Sequence, residues 1–213
     1  FAIKFPKIIT HEKKMRDIAK ELYIFFNVLE PLLNKTLVLI IQLPPYLTEN
    51  KCFESLQNMV NRFDNRFRYA LEVRDSSWFN DKIYDFLKDN KITLVWSVRD
   101  ELKTPYIVTS DQIYIRFIGD RSIDEIDFGK IVKNRDTEMV DCINRINKLQ
   151  YEMNDHKVIA VAFNNHFAGF GPQSANTFLK LMDEPEIKDW SKEIKQNNSI
   201  TKDFQKSISD FTF

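Results

Sequence analysis

Six short apolar runs, most of them separated by stripes of helical spacing, constrain this chain more than any other feature. They lie at residues 1–5 (FAIKF), 36–43 (TLVLIIQL), 68–75 (RYALEVRD), 92–98 (ITLVWSV), 112–118 (QIYIRFI) and 157–164 (KVIAVAFN). Most lack polar/apolar alternation, as strands of a parallel sheet do when helices cover them. Helical stripes fall between them, at Met15, Ile18, Ala19, Leu22, Phe25, Phe26 and Leu29, then at Phe53, Leu56, Val60 and Phe63. Others run through Phe79, Ile83, Phe86 and Leu87, and through Met139, Ile143, Ile146, Leu149 and Met153. A last helix opens at Gly171-Pro172 and continues through Ala175, Phe178, Leu179 and Met182. Repeated strand–helix units leave two architectures, a doubly wound open sheet or a closed (β/α)8 barrel.

The polar residues at the strand ends choose between these two. Side chains two apart on a strand share a face. On that basis Ala2 goes with Lys4, Val38 and Ile40 with Gln42, and Ala70 with Glu72 and Arg74. Tyr114 goes with Arg116, and Ala160 and Ala162 with Asn164. In five of the six runs one face is apolar and then ends in a polar group at its C-terminal end. Buried polar and charged groups are costly unless paired or functional. A barrel gathers these endings at one mouth, the end where such barrels carry their active sites. An open sheet would spread them along an edge. The expected fold is therefore an α/β (β/α)8 TIM-type barrel.

The chain opens directly on strand-like FAIKF, as expected if the first two of eight strand–helix units are absent and six are present. Residues 1–185 read as a single barrel domain. After Pro185 the composition turns polar (KDWSKEIKQNNS), so 186–213 reads as a surface tail.

These same strand ends carry a family resemblance. FAIKFPKIITH resembles the F-x-x-K-x-P-x-x-I-T-H stretch of the YecE-like proteins, domain of unknown function 72. LIIQLPP (39–45), ALEVRDSSWF (70–79), YIRFIGD (114–120) and VAFNNHFAG (161–169) resemble that family's later motifs, in the same order. The resemblance spans Phe1 to Met182 and implies a (β/α)8 barrel, with no established reaction. One departure stands out: where the family has His-Gly after the strand's Arg, this chain has Ile118-Gly119.

Charge locates the chemistry. Lys plus Arg equals Asp plus Glu at 31 each, so no global field draws in nucleic acid and any positive site must be local. The mouth supplies one: Lys4, Arg74 and Arg116 face a single obvious inward carboxylate, Glu72. Surplus positive charge in a concave site points to an anionic ligand. Gly119, and Gly169 with Gly171 before Pro172, follow the last two strands, where barrels frequently hold phosphate. Ordinary turn chemistry explains such glycines equally well. Glu72 is a candidate general acid or base, or else one half of a buried ion pair. His11 is a second proton-transfer candidate, or else a residue that bonds the first helical turn. Gln42, Asn164 and Asn165 are expected to orient the ligand. Trp78, Phe79 and Trp96 read as wedges of helix against sheet more readily than as stacking platforms.

The expected function is thus an enzyme, a hydrolase or lyase using Glu/His acid–base chemistry on a small phosphorylated substrate. The alternative is a non-catalytic module binding nucleic acid or another anion through the same mouth. Cys52 and Cys142 form no CxxC or Cys/His pattern, so neither zinc nor a disulfide framework is expected, and the reading is cytoplasmic. No cofactor, metal or membrane contact is expected, as no apolar run approaches spanning length.

Overall fold

The structure, a computed structural model, describes residues 1–119, 121–152 and 158–186. Of the expected polar tail only Glu186 falls within them; Met153, Lys157 and Asp120 also lie outside the described residues.

Among the described residues, seven strands form two parallel sheets. The first has the order β1 (Ala2–Lys4), β2 (Val38–Gln42), β3 (Tyr69–Glu72), β4 (Ile92–Leu94). The second has the order β5 (Trp96–Val98), β6 (Gln112–Phe117), β7 (Val158–Phe163). Every pairing is parallel and sequential. Only Val95 separates β4 from β5, and its N–H still reaches the Leu71 carbonyl at 2.9 Å. The single run 92–98 is therefore one stretch of extended chain that changes partner midway. Its first half pairs with β3, and its second half with β6.

The change has a local cause. Beside β4, on the side facing the second sheet, Thr109 takes the place of a strand backbone. Its Oγ1 donates to the Ile92 carbonyl at 2.6 Å and accepts from the Leu94 N–H at 2.8 Å. The buried hydroxyl thus satisfies the backbone groups that a neighbouring strand would have paired.

Helices α1 (Ala19–Leu29), α2 (Glu49–Val60) and α3 (Asp81–Asp89) cover the first sheet. Their Leu22, Phe25, Leu56, Met59, Ile83 and Leu87 pack on Leu39, Ile41, Leu71 and Leu94. Helices α4 (Asp136–Glu152) and α6 (Gly171–Leu181) cover the second sheet. There Met139, Ile143, Ile146 and Phe178 meet Ile113, Ile115 and Phe117. Each fully buried Leu or Ile contributes about 1.5–3 kcal/mol. The opposite face of the strands has its own smaller core of Val38, Ile40, Ala70, Val95 and Tyr114, with Ala160 and Ala162 against it. These are the residues whose strand parity leads to the polar endings.

The clearest departures from the periodic reading occur near helix ends. The stripe beginning at Met15 gives a helix only from Ala19, because Lys14, Met15 and Asp17 adopt left-handed backbone angles (φ 52°, 63° and 49°). Met15 and Ile18 are buried all the same. Phe63 lies beyond the end of α2 and stacks on Tyr69, ring centroids 3.8 Å apart. No described helix is long and apolar enough to cross a membrane.

Candidate functional site

Register places the polar endings side by side. Gln42 is the cross-strand partner of Glu72, and Ser97 is that of Arg116. Glu72 is fully buried at the centre. Its Oε1 accepts from Gln42 Nε2 at 2.7 Å, and its Oε2 accepts from Arg116 Nη1. Arg74 Nε stands 3.8 Å from Oε1, close enough for charge attraction and too far for a hydrogen bond. Glu72 therefore has both oxygens engaged and ties β2, β3 and β6 together.

Lys4 ends β1, with its side chain largely exposed. Its pKa is lowered from the usual 10.5, first by partial burial and then by Arg116, with Arg74 and Lys7 adding to the shift against Glu72. Arg74 is lowered too, by burial first; Glu72 opposes the shift, and Arg99, Arg121 and Arg116 deepen it. Burial is the largest cause at both groups, and several neighbouring cations act on each against the one carboxylate, Glu72.

His11 sits in a short π-helical turn, Ile8–Glu12, with Nδ1 2.8 Å from Thr10 Oγ1. Burial, then Lys7, Arg74 and Lys4, hold its pKa below the usual 6.5, with Glu12 opposing. These influences favour the neutral form of the imidazole. Arg74 and Lys4 act on His11 electrostatically, which places it at the same end of the strands.

The glycine-bearing loops have structural partners. Gly119 has φ +77°, and a Cβ there would come within 2.2 Å of the His166 carbonyl oxygen. Gly169 has φ +110°, and its Cβ would meet the Lys130 carbonyl oxygen at 2.2 Å. The loop after β6 also donates from Val132 N–H to the Ala168 carbonyl at 2.7 Å, so the two loops brace each other. Between β7 and α6 lies an additional short helix, α5 (Asn165–Ala168), capped by Asn164 Oδ1, which accepts from His166 N–H at 3.1 Å. Asn165 Oδ1 takes the Gly171 N–H at 2.8 Å. With that N–H engaged and Pro172 lacking one, the start of α6 offers few free donors.

Two hollows open at the strand ends. One, of about 290 Å³, is lined by Arg116, Ala162, Phe163, Asn164 and Asn165. The other, of about 280 Å³, lies between Arg74 and Arg99. Arg99 escapes the parity reading because it follows β5 rather than ending it, yet it continues the inward series Thr93, Val95, Ser97. That alternation, extended one step past the strand, was the available signal. Trp78 and Trp96 are buried, with Nε1 groups donating to Leu47 O at 2.8 Å and Ile107 O at 3.0 Å. They wedge helix against sheet. Among the described residues no three His, Cys, Asp or Glu side chains form a metal-holding group.

The strand-end motifs agree with what the whole chain matches. A DUF72 family protein from Thermotoga maritima is 25% identical, with a TM-score of 0.70 over 86% of this chain and 74% of its own. A DUF72 family protein from Enterococcus faecalis shares the fold at 20% identity and TM-score 0.67, over 87% of this chain and 78% of its own. No curated protein matches the sequence. The model of the family described as protein of unknown function DUF72 matches residues 1–198, and the chain belongs to that family.

Proposed function

We propose that this protein is an enzyme acting on a small anionic, phosphorylated substrate at the C-terminal ends of its strands. The sheets would then be an arc of a (β/α)8 barrel holding six of its eight strand–helix units. Sequential parallel pairing supports the arc, and so does the apolar face opposite the helices. The observation that carries the functional reading is charge imbalance: Lys4, Arg74 and Arg116 converge around one buried carboxylate, Glu72, with Arg99 beside Arg74. Arg116 is bound to that carboxylate and Arg99 to the exposed Glu101, which leaves Lys4 and Arg74 without a hydrogen-bonded carboxylate.

In this reading Lys4, Arg74 and Arg116 hold the substrate's charge, and Gln42 and Asn164 orient it. Gly119, Asn165, Gly169 and Gly171 shape the loops around it. Glu72, with both oxygens occupied, fixes Arg116 and Gln42 in place. Proton transfer falls to His11, whose neutral ring suits a general base in a hydrolase or lyase step. Two buried free cysteines fit a reducing, cytoplasmic setting.

Calorimetric titration with glucose 6-phosphate tests the proposal. Binding should weaken by about 1.5–3 kcal/mol, the range for a hydrogen bond to a charged group, when Arg116→Ala is added to a Glu72→Gln protein. The Glu72→Gln background avoids stranding a buried carboxylate. Absence of phosphate-ester and inorganic-phosphate binding by folded wild type would sink the anion reading.

A further inference from the structure

Arg74, which follows β3, and Arg99, which follows β5, line one cavity, and neither guanidinium has all its donors paired. Arg74 Nε is buried without a hydrogen-bond acceptor, and so are Arg99 Nε and Nη1. Buried donors of this kind are normally paired, since burial removes the water that would otherwise serve them. Two like charges lining one small cavity add repulsion to the missing bonds. Pro45 and Leu102 contribute apolar wall to the same space.

The carboxylates at the rim leave those donors free. Asp75 accepts from the Ser77 N–H at 3.0 Å and caps the Ser76–Trp78 turn. Glu101 is mostly exposed and engages only Nη2 of Arg99. Glu72 is 3.8 Å from Arg74 Nε and already holds Gln42 and Arg116.

We infer that Arg74 and Arg99 form an anion subsite of their own, separate from the Arg116–Asn164 hollow, which receives a phosphate or carboxylate group between their two guanidinium groups. The inference rests on the proposed function for its ligand class, and on different atoms for its location. A phosphate fits because it presents several acceptor oxygens to a planar guanidinium fork, which binds such groups with two parallel hydrogen bonds. Two subsites with Glu72 between them make the ligand one that carries two anionic groups.

Arginine side-chain Nε–H resonances of the whole chain, followed by NMR during titration with inorganic phosphate, read each subsite separately. The Nε–H signals of Arg74 and Arg99 should shift together along one saturable curve. Arg99→Gln should weaken that curve for Arg74 by about tenfold, as expected for loss of a charge-assisted contact, while leaving the Arg116 signal's response unchanged. Glu101→Gln, a change at an exposed position, should strengthen it by about twofold or more through removal of the competing carboxylate. Shifts at Arg116 alone would overturn the subsite and leave the proposed function standing. Shifts at Arg74 and Arg99 alone would uphold the subsite and move the proposed anion away from Arg116. No shift at any arginine would overturn both.

Discussion

Arg116, on β6 of one sheet, donates to the carboxylate of Glu72, on β3 of the other, across the inner face of the strands. The pair spans the point at which the run 92–98 changes partner, so it joins the two sheets where their backbone pairing is handed over. A buried ion pair of this kind is best judged by what happens when one member is lost.

Removing Arg116 alone should therefore be costly. Arg116→Ala leaves Glu72 buried with only Gln42 bonded to it, and the expected loss of stability is about 3–5 kcal/mol. Adding Glu72→Gln should recover much of that loss, because an amide tolerates burial better than a stranded carboxylate. Urea unfolding of the two singles and the double measures the coupling. Additive losses would mean the two side chains do not act as a pair.

His11 should make stability depend on pH in a defined direction. Its folded-state pKa lies below the usual 6.5, through burial, Lys7 and Arg74. Between the two values the unfolded chain binds more protons, so stability rises as pH climbs through that window and the gain is complete above 6.5. His11→Gln should flatten this rise when urea midpoints are compared between about pH 5 and 7. Saturating phosphate should raise the His11 pKa in an NMR titration, by offsetting the charges of Arg74 and Lys4. An unchanged pKa would place the bound anion away from His11.

Strand parity made the contact of Gln42 and Arg116 with Glu72, and the nearness of Arg74, legible, because side-chain direction in a strand follows from backbone geometry alone. The hand-over at Val95 was not legible, because it depends on Thr109 reaching the backbone of β4 from a loop distant in sequence. Arg99 was hidden for a related reason: it lies outside the apolar run that defines its strand. The π-helical turn at Ile8–Glu12 and the left-handed residues after it left no periodic trace, since Met15 and Ile18 keep helix-like spacing while their backbone departs from it. Glycines before a helix suggested free N–H donors at α6, yet a side chain six residues away, Asn165, takes the first.

Gly119 should tolerate no side chain. A Cβ would sit 2.2 Å from the His166 carbonyl oxygen, on a residue whose φ is already +77°. Both effects oppose Gly119→Ala, and the expected loss exceeds about 1 kcal/mol. Thermal unfolding measures the loss. The resonances of His166, whose backbone would have to retreat, should shift in the folded variant. Gly129, with φ +97° and no atom within 4 Å of an added Cβ, is the control: Gly129→Ala should suffer from the backbone angle alone.

Thr109 offers the sharpest test of how the two sheets are joined. Its buried hydroxyl donates to Ile92 O and accepts from Leu94 N–H, so one side chain satisfies two backbone groups of β4. Thr109→Val keeps the volume and removes both bonds. Each backbone group left buried and unsatisfied costs about 1–3 kcal/mol, so the variant should lose at least about 2 kcal/mol in urea unfolding. Thr109→Ser keeps the hydroxyl and loses only a methyl, and it should retain most of the stability. Hydrogen exchange separates a local from a global effect. In Thr109→Val the Leu94 amide should exchange faster than the fall in global stability requires, whereas the Val95 amide, bonded to Leu71 O, should slow or quicken only with the whole domain. Equal acceleration at both amides would mean that β4 and β5 open as one strand and that Thr109 does not hold the junction on its own.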